Sequence, residues 1–481
     1  MSNKSISKNY IFTLAYQILT MVTPLITTPY VSRVLQPEGI GAYSYASSIA
    51  TYFIIFGALS IGFYGHLEIA KNRDRKERVN QLFEETFALQ TITMTAAIIV
   101  YAVVFWFGSS SGSVMNKILI ITLIAKMFDI SWLLEGLEEF KTIAVRNLVV
   151  RLLGVAAVFL FIKDQSDLYK YVFLIQAIEV IGNLTLWKYV FSNFHLVAID
   201  KSEMWLLFKK GLPFFVPSLA TSIYTVLDKT MIGLLTGEAA QNGYYEQTNK
   251  IVQLLAGFVT SLSIVVQPRA AYYQEKGMTK ELNAVRKNAF QFILILTIPM
   301  VFGLITVSNT LIPLFLGDGY EECIGILKVL SILILALGMD NLIGKQILMV
   351  EGLQRDYNIG IIAGAVTNLT LNLLLIRKYG AFGAAISSAA AECVILVSFV
   401  FYSRKQYNYK PVMKMGARYL LFSVVMVILL ELIERLIASG ILRLIVQMAA
   451  GGVIYLTLLL LSKDDFVMNY VEGLRKKLCR Y

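Results

Sequence analysis

Cysteine and histidine are scarce in this chain of 481 residues. The three cysteines, Cys323, Cys393 and Cys479, lie far apart, and only two histidines are present. Metal sites and redox motifs need such residues at close spacing, so the sequence predicts no metal site, and a structural disulfide is not expected. No other bound cofactor is expected either.

Signatures of nucleotide hydrolysis and of metal-assisted catalysis are also missing. The segment GMDNLIGK (Gly338–Lys345) faintly resembles a phosphate-binding loop, but its glycines are one residue too far apart and Gln346 replaces Ser or Thr. No HExxH or DxD motif occurs. We therefore do not expect an enzyme, and we do not expect this chain itself to hydrolyse ATP.

Charged residues are few, whereas long apolar runs recur from end to end. Charged residues make up 16% of the sequence, hydrophobic residues make up 57%, and the mean hydropathy is +0.65. Apolar windows of about 20 residues are long enough to cross a bilayer. We predict an all-α polytopic membrane protein with about 14 transmembrane helices. They lie near residues 10–34, 40–65, 84–107, 115–134, 144–163, 168–190, 211–235, 243–267, 288–314, 324–344, 358–376, 381–402, 416–436 and 441–462.

The net charge of +11 reflects 43 Lys and Arg against 32 Asp and Glu. With the N-terminus inside, the cytoplasmic loops hold roughly 30 of the 43 basic residues and the outer loops roughly 7 or 8. This bias predicts a multi-pass protein of the cytoplasmic membrane with both termini in the cytoplasm. We expect the basic loops to orient the chain and to contact anionic lipid; nucleic acid is not an expected partner.

Polar side chains follow a helical spacing in two pairs of predicted spans. In the first helix Gln17, Thr20, Pro24 and Thr27 step by three or four residues, which places them on one face. The pattern returns about 200 residues later, which suggests an internal repeat. The other three seams are Ser44, Ser47 and Thr51; Ser218, Thr221, Thr225 and Asp228; and Glu246, Asn249 and Gln253.

The turns inside the two pairs are similar as well. The first reads QPEGIG (Gln36–Gly41), and the second places Glu238 and Gly243 where the first has Glu38 and Gly41. An internal repeat of membrane segments is typical of transporters. Small polar residues can also serve helix packing alone. Two seams in register favour a cavity lined by these helices.

Charges inside predicted spans are candidate functional residues because they are costly to bury. Glu246 and Lys250 are four residues apart with the acid first, so they are expected to pair along one helix face. Asp340 and Glu392 are further charges within spans. Alternatively, a charge near a span end, such as Arg33, reaches the interface. The cavity candidates are Arg33, Arg151, Asp228, Lys229, Glu246 and Lys250, with the polar residues Gln17, Thr20, Ser44, Ser47, Asn249 and Gln253.

Four segments resemble one family. PYVSRVLQPEGIGAYSYASSI carries Pro29, Tyr30, Arg33 and Tyr43 in the order seen at the opening of Wzx-type polysaccharide flippases, with Gln36 where that family usually has Gly. The segments FYGHLEIAKNR, LPFFVPSLATSIYTVLDKTMIG and YGAFGAAISSAAAE resemble later parts of the family. The resemblance covers nearly the whole chain.

The family belongs to the multidrug/oligosaccharidyl-lipid/polysaccharide exporter superfamily, and the resemblance therefore implies a MATE-like fold. Two pseudo-symmetric six-helix lobes would form a V-shaped cavity, and two helices would be appended. We expect an N-terminal lobe at residues 1–191, an amphipathic cytoplasmic linker at 192–210, a C-terminal lobe at 211–405, and the appended helices with a basic tail at 406–481.

The resemblance implies a bacterial flippase for polyprenyl-pyrophosphate-linked oligosaccharides, working by alternating access in surface polysaccharide assembly. A polysaccharide polymerase and other assembly proteins are expected partners. Coupling to H⁺ or Na⁺ is expected at Asp129, Glu179, Asp228 or Glu246, although the sequence does not decide which ion, or whether coupling exists. Two alternatives stay open: a cation-coupled multidrug exporter of the same superfamily, and a membrane-embedded glycan polymerase or ligase.

Overall fold

The computed structural model describes residues 6–107, 114–195, 197–437 and 440–468, with side chains described except at 6–21, 216–218, 220–225, 261–266 and 268. Helices account for the secondary structure of these ranges, and no strand occurs within them. This confirms the all-α prediction. Each of the predicted spans lies mainly in helical residues.

The chain divides into two compact units, residues 1–243 and residues 244–481. In the first unit, buried aromatic and aliphatic side chains such as Phe83, Trp132 and Leu133 form the core. The lobe and linker boundaries drawn from the sequence stay a prediction. The helices that begin in this unit are α1 (Ile6–Ala58), α2 (Ile61–Asn72), α3 (Lys76–Ala102), α4 (Val114–Met127), α5 (Ser131–Gly136), α6 (Phe140–Phe161), α7 (Leu168–Asn193), α8 (Lys201–Thr236) and α9 (Ala239–Glu275).

In the second unit α10 packs against α12, α14 and α15, and α12 packs against α13. A one-turn π-helix, Gly344–Leu348, follows α12, just as Val103–Phe107 follows α3. The remaining helices are α10 (Thr279–Phe315), α11 (Glu322–Leu330), α12 (Ile332–Ile343), α13 (Gln354–Ser403), α14 (Lys410–Leu436) and α15 (Ile441–Leu461).

Seven helical segments of the described chain are long and apolar enough to cross a bilayer, or eight if the pair Val22–Ala58 and Ile61–Asn72, bent by 43°, counts as one span. The chain is therefore a polytopic helical membrane protein. The finer count of about 14 spans stays a prediction. The seven segments are Lys76–Trp106, Phe140–Phe161, Thr279–Phe315, Glu322–Leu348, Gln354–Ser403, Lys410–Leu436 and Ile441–Leu461.

Single residues interrupt the longest helices at predicted turns. In α1 the break is Gln36, at φ 58° and ψ 169°, and in α13 it is Gly380, at φ 54°. The predicted polar turn Gln36–Gly41 is thus narrower than expected, because residues 37–41 are already helical. Pro37 causes this: it cannot donate a backbone hydrogen bond, but it fits the first turn of the following helix. Between α8 and α9 the corresponding break is Gly237, at φ 68°.

Candidate functional site

A cavity of about 440 Å³ lies between α1, α6 and α7 in the unit of residues 1–243. Hydroxyl, amide and charged groups stand beside apolar ones in its wall. We call it the α1–α6–α7 cavity. Its polar lining residues are Thr23, Thr27, Arg146, Asn147, Arg151, Tyr171 and Glu179.

The helical period explains how three separate stretches meet in this wall. Thr27 belongs to the first polar seam of α1, and its hydroxyl donates to the carbonyl of Thr23 at 3.0 Å. Arg151 of α6 and Glu179 of α7, a cavity candidate and a coupling candidate, line the same space. Gln17 and Thr20 share the seam in the sequence, but their side chains lie outside the described residues.

The two arginines of the cavity differ in their surroundings. The Arg146 side chain is only 11% exposed, lies 3.3 Å from a Glu179 oxygen, and donates hydrogen bonds to Asn147 at 2.6 Å and to Asn183. Arg151 is exposed, and the described part of the chain shows no ion pair for it. Glu179 therefore offsets Arg146, whereas the charge of Arg151 remains available to an anion in the cavity.

The second polar seam of α1 is turned mainly to helix packing. Ser44 is buried, the Ser47 hydroxyl donates to the Ser44 carbonyl at 3.0 Å, and the Thr51 hydroxyl donates to the Ser47 carbonyl at 2.7 Å. Such bonds satisfy a hydroxyl inside its own helix. Arg33 is exposed and is not among the residues that line the α1–α6–α7 cavity. The binding role of these residues stays a prediction.

Polar contacts between α1 and α8 were not predicted. Ser48 and Thr230 share a hydrogen bond at 2.9 Å, and the Thr230 hydroxyl donates to Tyr52 at 3.2 Å. The neighbouring candidates on α8 are Asp228, which is buried, and Lys229, which is partly buried, and both have interaction partners. Ser48 directly follows Ser47 of the predicted seam. Moving the predicted seam by one residue along α1 would therefore have included Ser48.

The turn glycines of the two repeats lie at close backbone contacts. A Cβ atom on Gly41 would stand 1.7 Å from the Ala239 carbonyl oxygen, and one on Gly243 would stand 2.1 Å from the Pro37 carbonyl oxygen. Only glycine allows such an approach. The two turns that match in sequence are therefore in direct contact.

In the unit of residues 244–481, the predicted pair on α9 is present. Lys250 Nζ lies 3.2 Å from a Glu246 carboxylate oxygen, which confirms the expected pairing along one helix face. Asn249 and Gln253 are at least partly accessible, like this pair. Gln247, by contrast, is only 1% exposed. The predicted seam is thus the open side of α9.

Among the coupling candidates, Asp129 has a local structural role. The segment predicted as one span at 115–134 breaks after Met127, and Asp129 lies in the break before α5. Its carboxylate lies 2.7 Å from Lys126 Nζ and accepts from the backbone N–H of Ser131 at 3.0 Å. Those donors hold the turn between two short helices.

A pair of buried acids was missed as a site. Asp340 of α12 and Glu392 of α13 are 9% and 5% exposed, and the two acids interact electrostatically with each other. The Asp340 oxygens accept no hydrogen bond from a described donor. Two carboxylates so close need a shared proton or a cation between them. The sequence shows one acid in each of two apolar runs, but it does not show that the two acids lie close together.

Two family models each match more than half of the chain. The model described as "Polysaccharide biosynthesis protein" matches residues 6–274, and the model described as "Lipid II flippase MurJ" matches residues 206–458. A putative O-antigen transporter of Escherichia coli (strain K12) is 21% identical over 413 residues, covering 83% of this chain and 97% of that protein.

Solved structures agree on the fold. The inward closed conformation of the lipid II flippase MurJ has a TM-score of 0.73 at 18% identity, covering 95% of this chain and 99% of that one. An inward-facing multidrug resistance MATE family transporter of the MOP superfamily has a TM-score of 0.65 at 12% identity, covering 85% and 99%.

A polytopic helical chain with this fold and these relatives is a membrane carrier of the MOP superfamily, and it is not an enzyme. The carrier class leaves the polymerase or ligase alternative without support. Within the class, the chain belongs to the polysaccharide biosynthesis protein family, whose flippases are of the Wzx type. The family resemblance drawn from the sequence is confirmed.

Proposed function

We propose that this protein is a flippase that moves polyprenyl-pyrophosphate-linked oligosaccharide repeat units across the cytoplasmic membrane of a bacterium for surface polysaccharide assembly. One observation carries the proposal. In a chain of this family, the α1–α6–α7 cavity presents the Arg151 cation, which has no ion pair among the described residues, beside hydroxyl and amide groups. The names of its relatives, an O-antigen transporter and the lipid II flippase, support the same class of cargo.

The cavity suits the chemistry of such a cargo. A pyrophosphate loses hydration when it enters a membrane protein, and a guanidinium replaces part of that hydration with charge-assisted hydrogen bonds. Sugar hydroxyls need donors and acceptors, which Thr23, Thr27 and Asn147 supply. The polyprenyl chain needs no polar site and stays in the bilayer.

The proposed architecture has about 14 spans, two six-helix lobes, two appended helices and both termini in the cytoplasm. It is supported by the helical state of each predicted span and by the fold shared with MurJ and MATE transporters. Transport proceeds by alternating access, with a pivot near Gly41 and Gly243. The close backbone contacts of both glycines support a pivot there, because a larger side chain would separate the two turns.

Coupling to H⁺ or Na⁺ belongs to the proposal. Glu179 is one carrier, since neutralising it would leave Arg146 without its counter-ion inside the cavity. The pair Asp340 and Glu392 is another, because a proton or cation between two buried carboxyls changes the charge of a membrane-embedded site. The test is transport into vesicles under imposed proton or sodium gradients. Glu179→Gln or Asp340→Asn should abolish the response of transport to one of the two gradients. An unchanged response in both variants would contradict these assignments.

The function itself is tested by lipid analysis of a strain that lacks this gene. We expect complete lipid-linked repeat units to accumulate inside the cell and surface polysaccharide to disappear, with both effects reversed by the gene. Complete units that reach the outer face but stay unpolymerised would instead assign polymerisation to this chain and contradict the proposal. Reduced drug tolerance without any change in glycan would favour the multidrug exporter.

A further inference from the structure

A second cavity, of about 630 Å³, opens in the unit of residues 244–481 where α13 ends and α14 begins. Four cations line it: Lys287 of α10, Arg404 and Lys405 of the connecting turn, and Lys410 at the start of α14. All four are exposed, and the described lining contains no carboxylate. We call this site the basic groove.

The charges of the basic groove are not offset by the protein. In the part of the chain that the structure describes, no ion pair involves these four cations, whereas the nearby Arg286 and Arg418 pair with Glu351 at 2.9 Å and Asp464 at 3.0 Å. The N-terminus of α14 adds the positive end of a helix dipole at the same place. Like charges held together repel, so a bound anion would stabilise the arrangement.

The floor of the basic groove is well ordered by packing. Tyr407 and Tyr409 are buried, their rings lie 5.1 Å and 5.9 Å from the ring of Phe290, and the Tyr409 hydroxyl is 2.5 Å from the Ser403 hydroxyl. Burial raises the pKa of Tyr409 to about 12, so this phenol stays neutral. The turn that carries Arg404 and Lys405 is therefore held in place by aromatic contacts.

One side of the basic groove is apolar and open. Met413 lines the groove and is 72% exposed, and Phe401, the neighbour of the lining residue Val400, is 51% exposed. Both lie in helices that are apolar enough to span a bilayer. The guanidinium carbon of Arg404 stands 4.0 Å from the centre of the Phe401 ring. A cation that lies over an apolar side chain at the end of a span is typical of the bilayer interface. The ligand chemistry that fits is an anionic head joined to an apolar tail.

We propose that the basic groove binds the phosphate headgroup of an anionic phospholipid from the leaflet that faces these span ends, predicted to be the cytoplasmic one. Basic pockets at the ends of membrane helices bind such headgroups. The volume lies within the range of about 300–1,000 Å³ found for small-molecule sites. The groove shares no residue with the α1–α6–α7 cavity, so the inference does not depend on the proposed cargo.

The experiment uses the purified full-length protein, titrated with phosphatidylglycerol or phosphatidylcholine and read by native mass spectrometry. The test variant carries Lys287→Gln, Arg404→Gln and Lys410→Gln. We expect it to retain phosphatidylglycerol about five-fold less for each cation removed, roughly one hundred-fold in all, with phosphatidylcholine unchanged. The matched control removes three exposed cations outside the groove, Lys276, Lys280 and Lys463, and should behave as the unmodified protein.

Two further arms separate the sources of phosphate. Inorganic phosphate at millimolar concentration should not displace phosphatidylglycerol, because the apolar side of the groove adds to the binding of a lipid only; displacement would overturn the proposal. Polyprenyl pyrophosphate that competes with phosphatidylglycerol and is lost in the same variant would also overturn it. Equal retention by the test and control variants would do so too. If the triple variant does not fold, the single variants Arg404→Gln and Arg404→Lys are compared instead. We expect an about five-fold loss of phosphatidylglycerol retention only for Arg404→Gln, because Arg404→Lys keeps the charge.

Discussion

Replacing Arg151 by glutamine is the sharpest test of the α1–α6–α7 cavity. The side chain is exposed and lines the cavity, and it has no ion pair in the described part of the chain, so its removal breaks no ion pair there. We expect the free energy of unfolding to change by less than about 0.5 kcal/mol. Binding of a pyrophosphate should nevertheless fall, because the cavity loses its uncompensated cation.

The magnitude follows from the exposure of the guanidinium. A hydrogen bond to a charged group contributes about 1.5–3 kcal/mol, and the lower end applies because solvent screens an exposed charge. A loss of about 1.5 kcal/mol corresponds to about ten-fold weaker binding. Arg151→Lys should recover part of the affinity, since it keeps the charge but loses the planar fork that matches phosphate.

Polyprenyl pyrophosphate binding to the reconstituted protein provides the measurement, with thermal unfolding followed in parallel. Lys188→Gln is the matched control, an exposed cation on α7 outside the cavity lining. Arg146→Gln serves as a contrast: it removes the ion pair with Glu179 and the donor to the Asn183 side-chain oxygen, so it should lower the melting temperature. Affinity of Arg151→Gln within two-fold of the unmodified protein would refute the assignment of Arg151 as an anion-binding group.

Two further predictions concern stability. Gly41→Ala should destabilise the protein by about 3 kcal/mol, because its Cβ would stand 1.7 Å from a backbone carbonyl oxygen. The control Gly452→Ala should be neutral or stabilising, because no atom lies within 4 Å of its Cβ. Equal melting temperatures of the two variants would contradict the close contact at Gly41. Asp464→Ala should cost about 1–3 kcal/mol, since it removes the acceptor of the buried Tyr419 hydroxyl at 2.9 Å. The exposed Asp465→Ala should leave the unfolding midpoint unchanged. An Asp464 variant as stable as its control would show that this buried hydrogen bond contributes nothing to stability.

Local geometry explains which contacts could be predicted. The Glu246 and Lys250 pair was foreseen because a helix brings residues four apart together wherever it lies. The break at Gln36 was foreseen as a turn, although the helix resumes sooner than expected. Asp340 and Glu392 were seen only as separate charges, since neither lies within a helical turn of the other.

The cavity candidates show the same limit. Thr27, Arg151 and Glu179 were each named from a run of apolar residues, and the structure places all three in one wall. Arg146 lines the same wall, and its position beside Glu179 makes it a neutralised cation. Only the packing of α6 against α7 distinguishes two arginines that look alike in the sequence.

The sequence by itself determined the helical class, the membrane environment and the family, because hydropathy, turn residues and motifs are local properties that need no contact between distant segments. The tertiary structure alone decided which charges from distant parts of the chain are paired and which remain open to a ligand. The basic groove is an example: Lys287 and Arg404 are far apart in the chain, and they share one site because α10 and the end of α13 meet there. Electrostatic interaction depends on distance in space, and that distance is set by helix packing.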